Sequence, residues 1–141
     1  MRIHSSFVMV FVLALVLSPA AALACTQRLA SELFTHCKSK LDVDDKGGAS
    51  VLCADAAAEY GVCADEASGR EHYEFLAYKA RLLEFAGASN WNSGSYFRPQ
   101  GRRQLVQAKA DAKEIVASRT ASPFARDIAR RTLKDVASFG L

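Results

Sequence analysis

The sequence predicts an all-α fold, a small bundle of about five helices, on three observations. Apolar residues recur three and four apart through most of the chain. Residues that start and stop helices punctuate that pattern at regular intervals. No segment alternates like a strand over more than a few residues.

The elements follow in order. Residues 1–24 read as a signal peptide, with Arg2 in a basic start, an apolar run Phe7–Leu17, Pro19, and Ala22-Leu23-Ala24 as the cleavage site. Eleven apolar residues fall well short of the roughly 20 a membrane-spanning helix needs. No later segment is long and apolar enough to span either, so the expected mature chain has no transmembrane segment. Cys25 would be the first mature residue. That raises lipid attachment as a minor alternative, although Leu23 stands one position out of the lipoprotein register. The expected location is periplasmic or secreted.

The remaining residues, 25–141, are expected to form a single helical domain. Thr26 to Leu41 places Leu29, Leu33, Cys37 and Leu41 on one helical face, with Phe34 alongside. A polar turn, DVDDKGG, follows, and then a second helix capped by Ser50 and ending near Gly61. Ser68 to Glu71 has the form of a capping box opening a helix over 68–87, closed by Gly87. Residues 88–101, ASNWNSGSYFRPQG, lack a helical period and read as a long loop. Over 102–139 the period returns as a helical hairpin. Leu105, Ala108, Ala112, Ile115 and Val116 are expected to face inward in its first helix, and Ser122-Pro123 starts its second.

Cys25, Cys37, Cys53 and Cys63 lie within residues 25–64. An even number in an exported chain reads as disulfides. Their spacings contain no close pair of the kind four-cysteine zinc sites use, so no metal is expected. At a rise of about 1.5 Å per residue, Cys25 and Cys37 stand about 18 Å apart along one helix. Cys53 and Cys63 stand about 15 Å apart. A disulfide needs α-carbons within about 7 Å, so neither sequential pair can close. Folding the two helices back on each other brings Cys37 to Cys53 near the turn and Cys25 to Cys63 at the open end. The N-terminal hairpin is therefore expected to be stapled twice.

Residues 70–139 carry a resemblance. The Ala-rich stretch AKADAKEIVASRTASPFARDIARRTL sets two helices about a Ser-Pro turn, with Ala110, Ala117 and Pro123 at small-residue and terminal-proline positions. It resembles the helix–turn–helix units of tetratricopeptide-type repeat proteins. That resemblance implies TPR-like hairpins in a scaffold for a protein or peptide partner, not catalysis.

Charge is unevenly placed. Residues 25–97 hold 7 basic and 11 acidic groups, and residues 98–141 hold 10 and 4, so the two parts could attract each other or present opposite patches. The small net charge gives no case for nucleic acid. Asp42, Asp44, Asp45 and Gly47 resemble the start of a calcium loop. Lys46 and Cys53 occupy positions that need oxygen ligands, so a solvated turn is the better reading. His36 and His72 have no nucleophile or second histidine at a useful spacing, and Ser93-Gly94-Ser95 lacks the glycines of a nucleophile elbow.

The best candidate surface is Trp91, Tyr96 and Phe97 with Arg98, Arg102 and Arg103, residue types that dominate binding energetics. The leading expectation is an exported, non-catalytic helical binding protein with no cofactor. An immunity or inhibitor protein against a toxin or cell-wall enzyme is the alternative, and a small envelope hydrolase is a distant third.

Overall fold

A computed structural model describes residues 24–141. The expected signal peptide lies almost entirely outside them. Five helices run through the described residues: α1 (Gln27–Asp42), α2 (Lys46–Glu66), α3 (Gly69–Asn92), α4 (Arg98–Ala117) and α5 (Pro123–Ala137). The fold is all-α, and no strand occurs among the described residues.

α3 is the central element, packed against α2, α4 and α5, while α1 packs chiefly on α2. The core is dominated by alanine. Ala49, Ala56, Ala57 and Ala64 of α2 share one buried cluster with Ala77 and Ala86 of α3, and Ala80 is buried as well. Such short side chains let helix axes approach closely, and larger residues such as Leu82, Leu105 and Ile115 fill the gaps between them.

Both disulfides form as the helical geometry predicts. Cys25 is bonded to Cys63, with α-carbons 4.6 Å apart, and Cys37 to Cys53, at 4.8 Å. The nested pairs clamp α1 to α2 at both ends. Taken singly, closing loops of 38 and 16 residues is worth about 4 and about 3 kcal/mol in the chain-entropy view. The Cys25 sulfur is occupied by Cys63, so it cannot also carry the thioether-linked lipid considered from its position in the sequence.

Several element boundaries need correction. α2 starts four residues before Ser50. Asp45 is its N-cap, accepting the Gly48 amide proton at 2.9 Å, while the Ser50 hydroxyl donates to the Gly47 carbonyl. α2 also continues through Gly61 to Glu66. The capping box at Ser68 does not form, since the Ser68 side chain makes no capping bond. Gly69 adopts a left-handed φ of 59°, which turns the chain out of capping-box geometry.

α3 does not stop at Gly87. There the backbones of α3 and α4 cross, and a Cβ on Gly87 would sit 3.0 Å from the Gly101 carbonyl oxygen. The glycine serves this close approach and not a C-cap. Consequently the loop expected over 88–101 shrinks to residues 93–97, with α3 extending through Asn92 and α4 starting at Arg98. The expected cap on α5 is present: the Ser122 hydroxyl accepts from the Ala125 amide at 3.1 Å, with Pro123 as the first helical residue.

Candidate functional site

The turn between α3 and α4 divides the candidate residues into two groups. Trp91 lies on the last turn of α3 and is partly buried. Its ring meets Phe139 edge-on at 5.7 Å, in a small cluster with Leu105, Ala108 and Val136. It closes this end of the bundle and is not part of the exposed surface, which corrects its place in the candidate set.

Tyr96 and Phe97 remain outside. Tyr96 is 86% exposed and Phe97 43%, their rings edge to face at 5.1 Å. They form an aromatic knob on a turn pinned by Gly94, whose φ of 122° suits glycine alone. Solvent contact on this scale is unfavourable for two adjacent aromatic rings.

Arg98, Arg102 and Arg103 follow directly, all exposed. At 100° per residue, Arg98, Arg102, Arg103, Lys109 and Lys113 lie within 80° of Val106, the centre of α4's outer face, an order-of-magnitude placement from ideal helix geometry of about 3.6 residues per turn. Val106 is itself 49% exposed. A shallow groove of about 460 Å³ runs along this face, lined by Arg102, Val106, Lys109, Ala110, Lys113 and the C-terminal Leu141.

The fold leaves these cations unneutralised. The acidic side chains of this half are engaged elsewhere: Asp111 with Lys79 at 3.0 Å, Asp135 with Arg81, Asp127 with Arg131, and Glu114 near His72 at 3.8 Å. Among the described residues, Arg131 is the one base of the ten after position 97 with a carboxylate within 4.0 Å. The two parts of the chain therefore do not cancel. Ion pairs between them join Lys79 and Arg81 of α3 to Asp111 of α4 and Asp135 of α5, the reverse of what the charge excesses suggested.

The remaining sequence candidates are tied up locally or isolated. Asp45 holds the Gly48 amide and pairs with Lys40 at 3.0 Å, and these contacts keep its carboxyl below the ordinary carboxylate range. The His72 Nδ1 lies 2.6 Å from the Ala64 carbonyl oxygen, bracing α3 on α2. His36 is exposed, and the Ser93 hydroxyl donates to the Ser89 carbonyl. No group of three or more His, Cys, Asp or Glu side chains among the described residues is placed to hold a metal ion.

No family profile, curated protein or solved structure matches this chain. The surface must therefore be read from its own chemistry.

Two features escaped the sequence. The first is Glu84, 5% exposed on α3. Burial pushes its carboxyl up to about 7, outweighing the opposing charge of Arg81 at 2.8 Å, and the nearby Asp135 carboxylate adds to the rise. Its position between Leu83 and Phe85 gave no hint of this burial.

The second lies at the opposite end of the bundle. Phe34 of α1, Tyr60 of α2 and Phe75 and Tyr78 of α3 line a groove of about 400 Å³ with Gln27 and Ser31. Tyr60 stacks on Tyr78 at 5.0 Å, and Phe124 of α5, 50% exposed, meets Tyr78 at 5.9 Å. Burial raises the Tyr60 hydroxyl above its ordinary pKa, with Tyr78 adding to the effect. An adjoining cleft shares Gln27 and Phe75 and continues to Glu66 and Glu71 beside the Cys25–Cys63 bridge. Four of the helices each bring an aromatic residue to this end, a convergence that only the fold reveals.

Proposed function

We propose that this chain is an exported, non-catalytic helical scaffold that recognises a protein or peptide partner through the α3–α4 turn and the outer face of α4. The observation that carries this reading is the Tyr96–Phe97 knob, exposed among the described residues and continuous with Arg98, Arg102 and Arg103. Aromatic and arginine side chains in one exposed patch are the groups that contribute most when an interface forms over them. The lack of neutralising carboxylates selects a partner surface that is acidic around an apolar centre.

Export is supported by two disulfides, which persist in oxidising compartments, and by the leader-like start of the sequence. No described helix is long and apolar enough to cross a membrane. The scaffold reading also agrees with what the tetratricopeptide-type resemblance implies for residues 70–139.

A photo-crosslinking residue placed at Tyr96 in the producing cell tests the proposal, with the exposed Ala58 of α2 as the control position. Tyr96 should give a discrete protein adduct that Ala58 does not, and Arg98→Glu/Arg102→Glu/Arg103→Glu should abolish it. Equal labelling from both positions, or an adduct indifferent to the charge reversal, would refute it.

A further inference from the structure

We propose that the partner is a second copy of this chain, bound head to tail: the Tyr96–Phe97 knob and Arg98 of one copy seat in the Phe34–Tyr60–Phe75–Tyr78 groove of the next, beside Glu71. The inference rests on the α3–α4 turn being a binding surface and names what it binds.

The two ends of the bundle are complementary in two independent respects. One end carries two exposed aromatic rings, and the other carries an open groove walled by aromatic rings. Aromatic pairs favour offset and edge-to-face arrangements, as the groove's own Phe34–Tyr78 contact shows at 6.0 Å and 79°. One end carries arginines without carboxylates. The other carries Glu71, which has no basic partner within 4.0 Å among the described residues; Glu66 beside it is taken up by the Cys25 nitrogen at 2.9 Å, the α-amine of the expected mature chain. Arg98 directly follows the knob, and the cleft that holds Glu71 shares Gln27 and Phe75 with the groove.

A single copy cannot satisfy itself. Tyr78, the groove ring nearest the turn along α3, and Asn92 are 14 residues apart on that one helix, a separation of about 21 Å at the helical rise. The knob therefore reaches a groove only on another molecule. Joining one end to the opposite end of the next copy is a heterologous contact, which repeats as a ring or an open filament. The rings would supply the desolvated centre and the Arg–Glu contacts the rim, where charge sets orientation and partner choice more than affinity.

Sedimentation equilibrium on the mature, oxidised protein tests this. The mass should rise with concentration. Tyr96→Ala/Phe97→Ala removes the knob, and Gln27→Arg/Glu71→Arg repels the arginines at the groove, in both cases by changing exposed or half-exposed side chains. Each variant alone should stay monomeric. Mixed one to one, the intact groove of the first accepts the intact knob of the second, and the mass should double and rise no further. A wild-type protein that stays monomeric overturns the inference. So does a variant that assembles like wild type, or a mixture that remains monomeric. If the wild type is monomeric while Tyr96 still crosslinks to a different protein, this inference fails and the proposed function stands.

Discussion

Adding one methyl group at Gly101 or at Gly61 should change stability in opposite directions, although both glycines lie inside helices. At Gly101 an added Cβ would stand 2.7 Å from the Gly87 carbonyl oxygen and 2.8 Å from the Trp91 amide nitrogen. Both are backbone atoms, so no side-chain rotation can relieve the clash. α3 and α4 must separate where Leu105 and the Trp91–Phe139 pair close the core. Overpacking of this kind costs about 1–3 kcal/mol, more where backbone must move. The gain in helix propensity from Gly to Ala, about 1 kcal/mol, offsets only part of that. At Gly61 the new Cβ would meet the Lys79 side chain at 3.5 and 3.7 Å, ordinary contact with a flexible neighbour. Only the propensity term remains there, so Gly61→Ala should stabilise by about 0.5–1 kcal/mol. Urea unfolding followed by far-ultraviolet dichroism measures both, with the shift in midpoint read at constant slope. If Gly101→Ala is neutral or stabilising, the glycine crossing does not hold α3 against α4 as described. If Gly61→Ala destabilises, the propensity argument for α2 is wrong.

Two further outcomes follow from the same packing. Glu84 has a folded-state pKa of about 7 against an ordinary 4.5. Between those values the folded protein keeps a proton that the unfolded chain has released, so stability falls as pH rises through this window and levels off above it. The full change is about 3 kcal/mol. Glu84→Gln should flatten that part of the pH–stability curve, and an unchanged slope would show that the wild-type dependence comes from another group. Replacing Cys25 and Cys63 with serine should cost about 2–4 kcal/mol, and thermal melts of the two double-serine mutants compare this bridge with Cys37–Cys53. Either loss should loosen α1 first, seen as amide exchange confined to residues 27–42; uniform exchange across all five helices would contradict it.

The helical class and the cysteine pairing were legible because both depend on repetition along one element. A fixed rise per residue excludes the sequential pairs, and nearly equal spacings on two antiparallel helices leave the nested one. Helix ends were less legible, because composition and packing disagreed there. Gly87 reads as a terminator until α4 is known to cross it, and ASN at 88–90 reads as loop although Ser89 and Asn90 are buried on α3. Asn90 donates to Gln104 of α4 at 2.8 Å, a partner that only the fold supplies. Of the candidate surface, Tyr96, Phe97 and the arginines lie outside. Trp91 does not, because Phe139, some fifty positions later in the chain, is what covers it. The distal groove was illegible for the same reason: its rings come from three helices, with a fourth beside it, and none is unusual on its own.

The way α1 is attached has a consequence for when the molecule becomes complete. This helix buries only Ala30 and Cys37 fully and rests chiefly on α2. Two sulfur–sulfur bonds do for it what a broad apolar face does for the other helices. A newly made chain whose thiols are still reduced would lack this clamp. The Gln27–Phe34 wall of the distal groove would then be assembled last. Oxidation would thus act as the closing step of maturation, delaying a finished groove until the chain reaches a place where thiols pair.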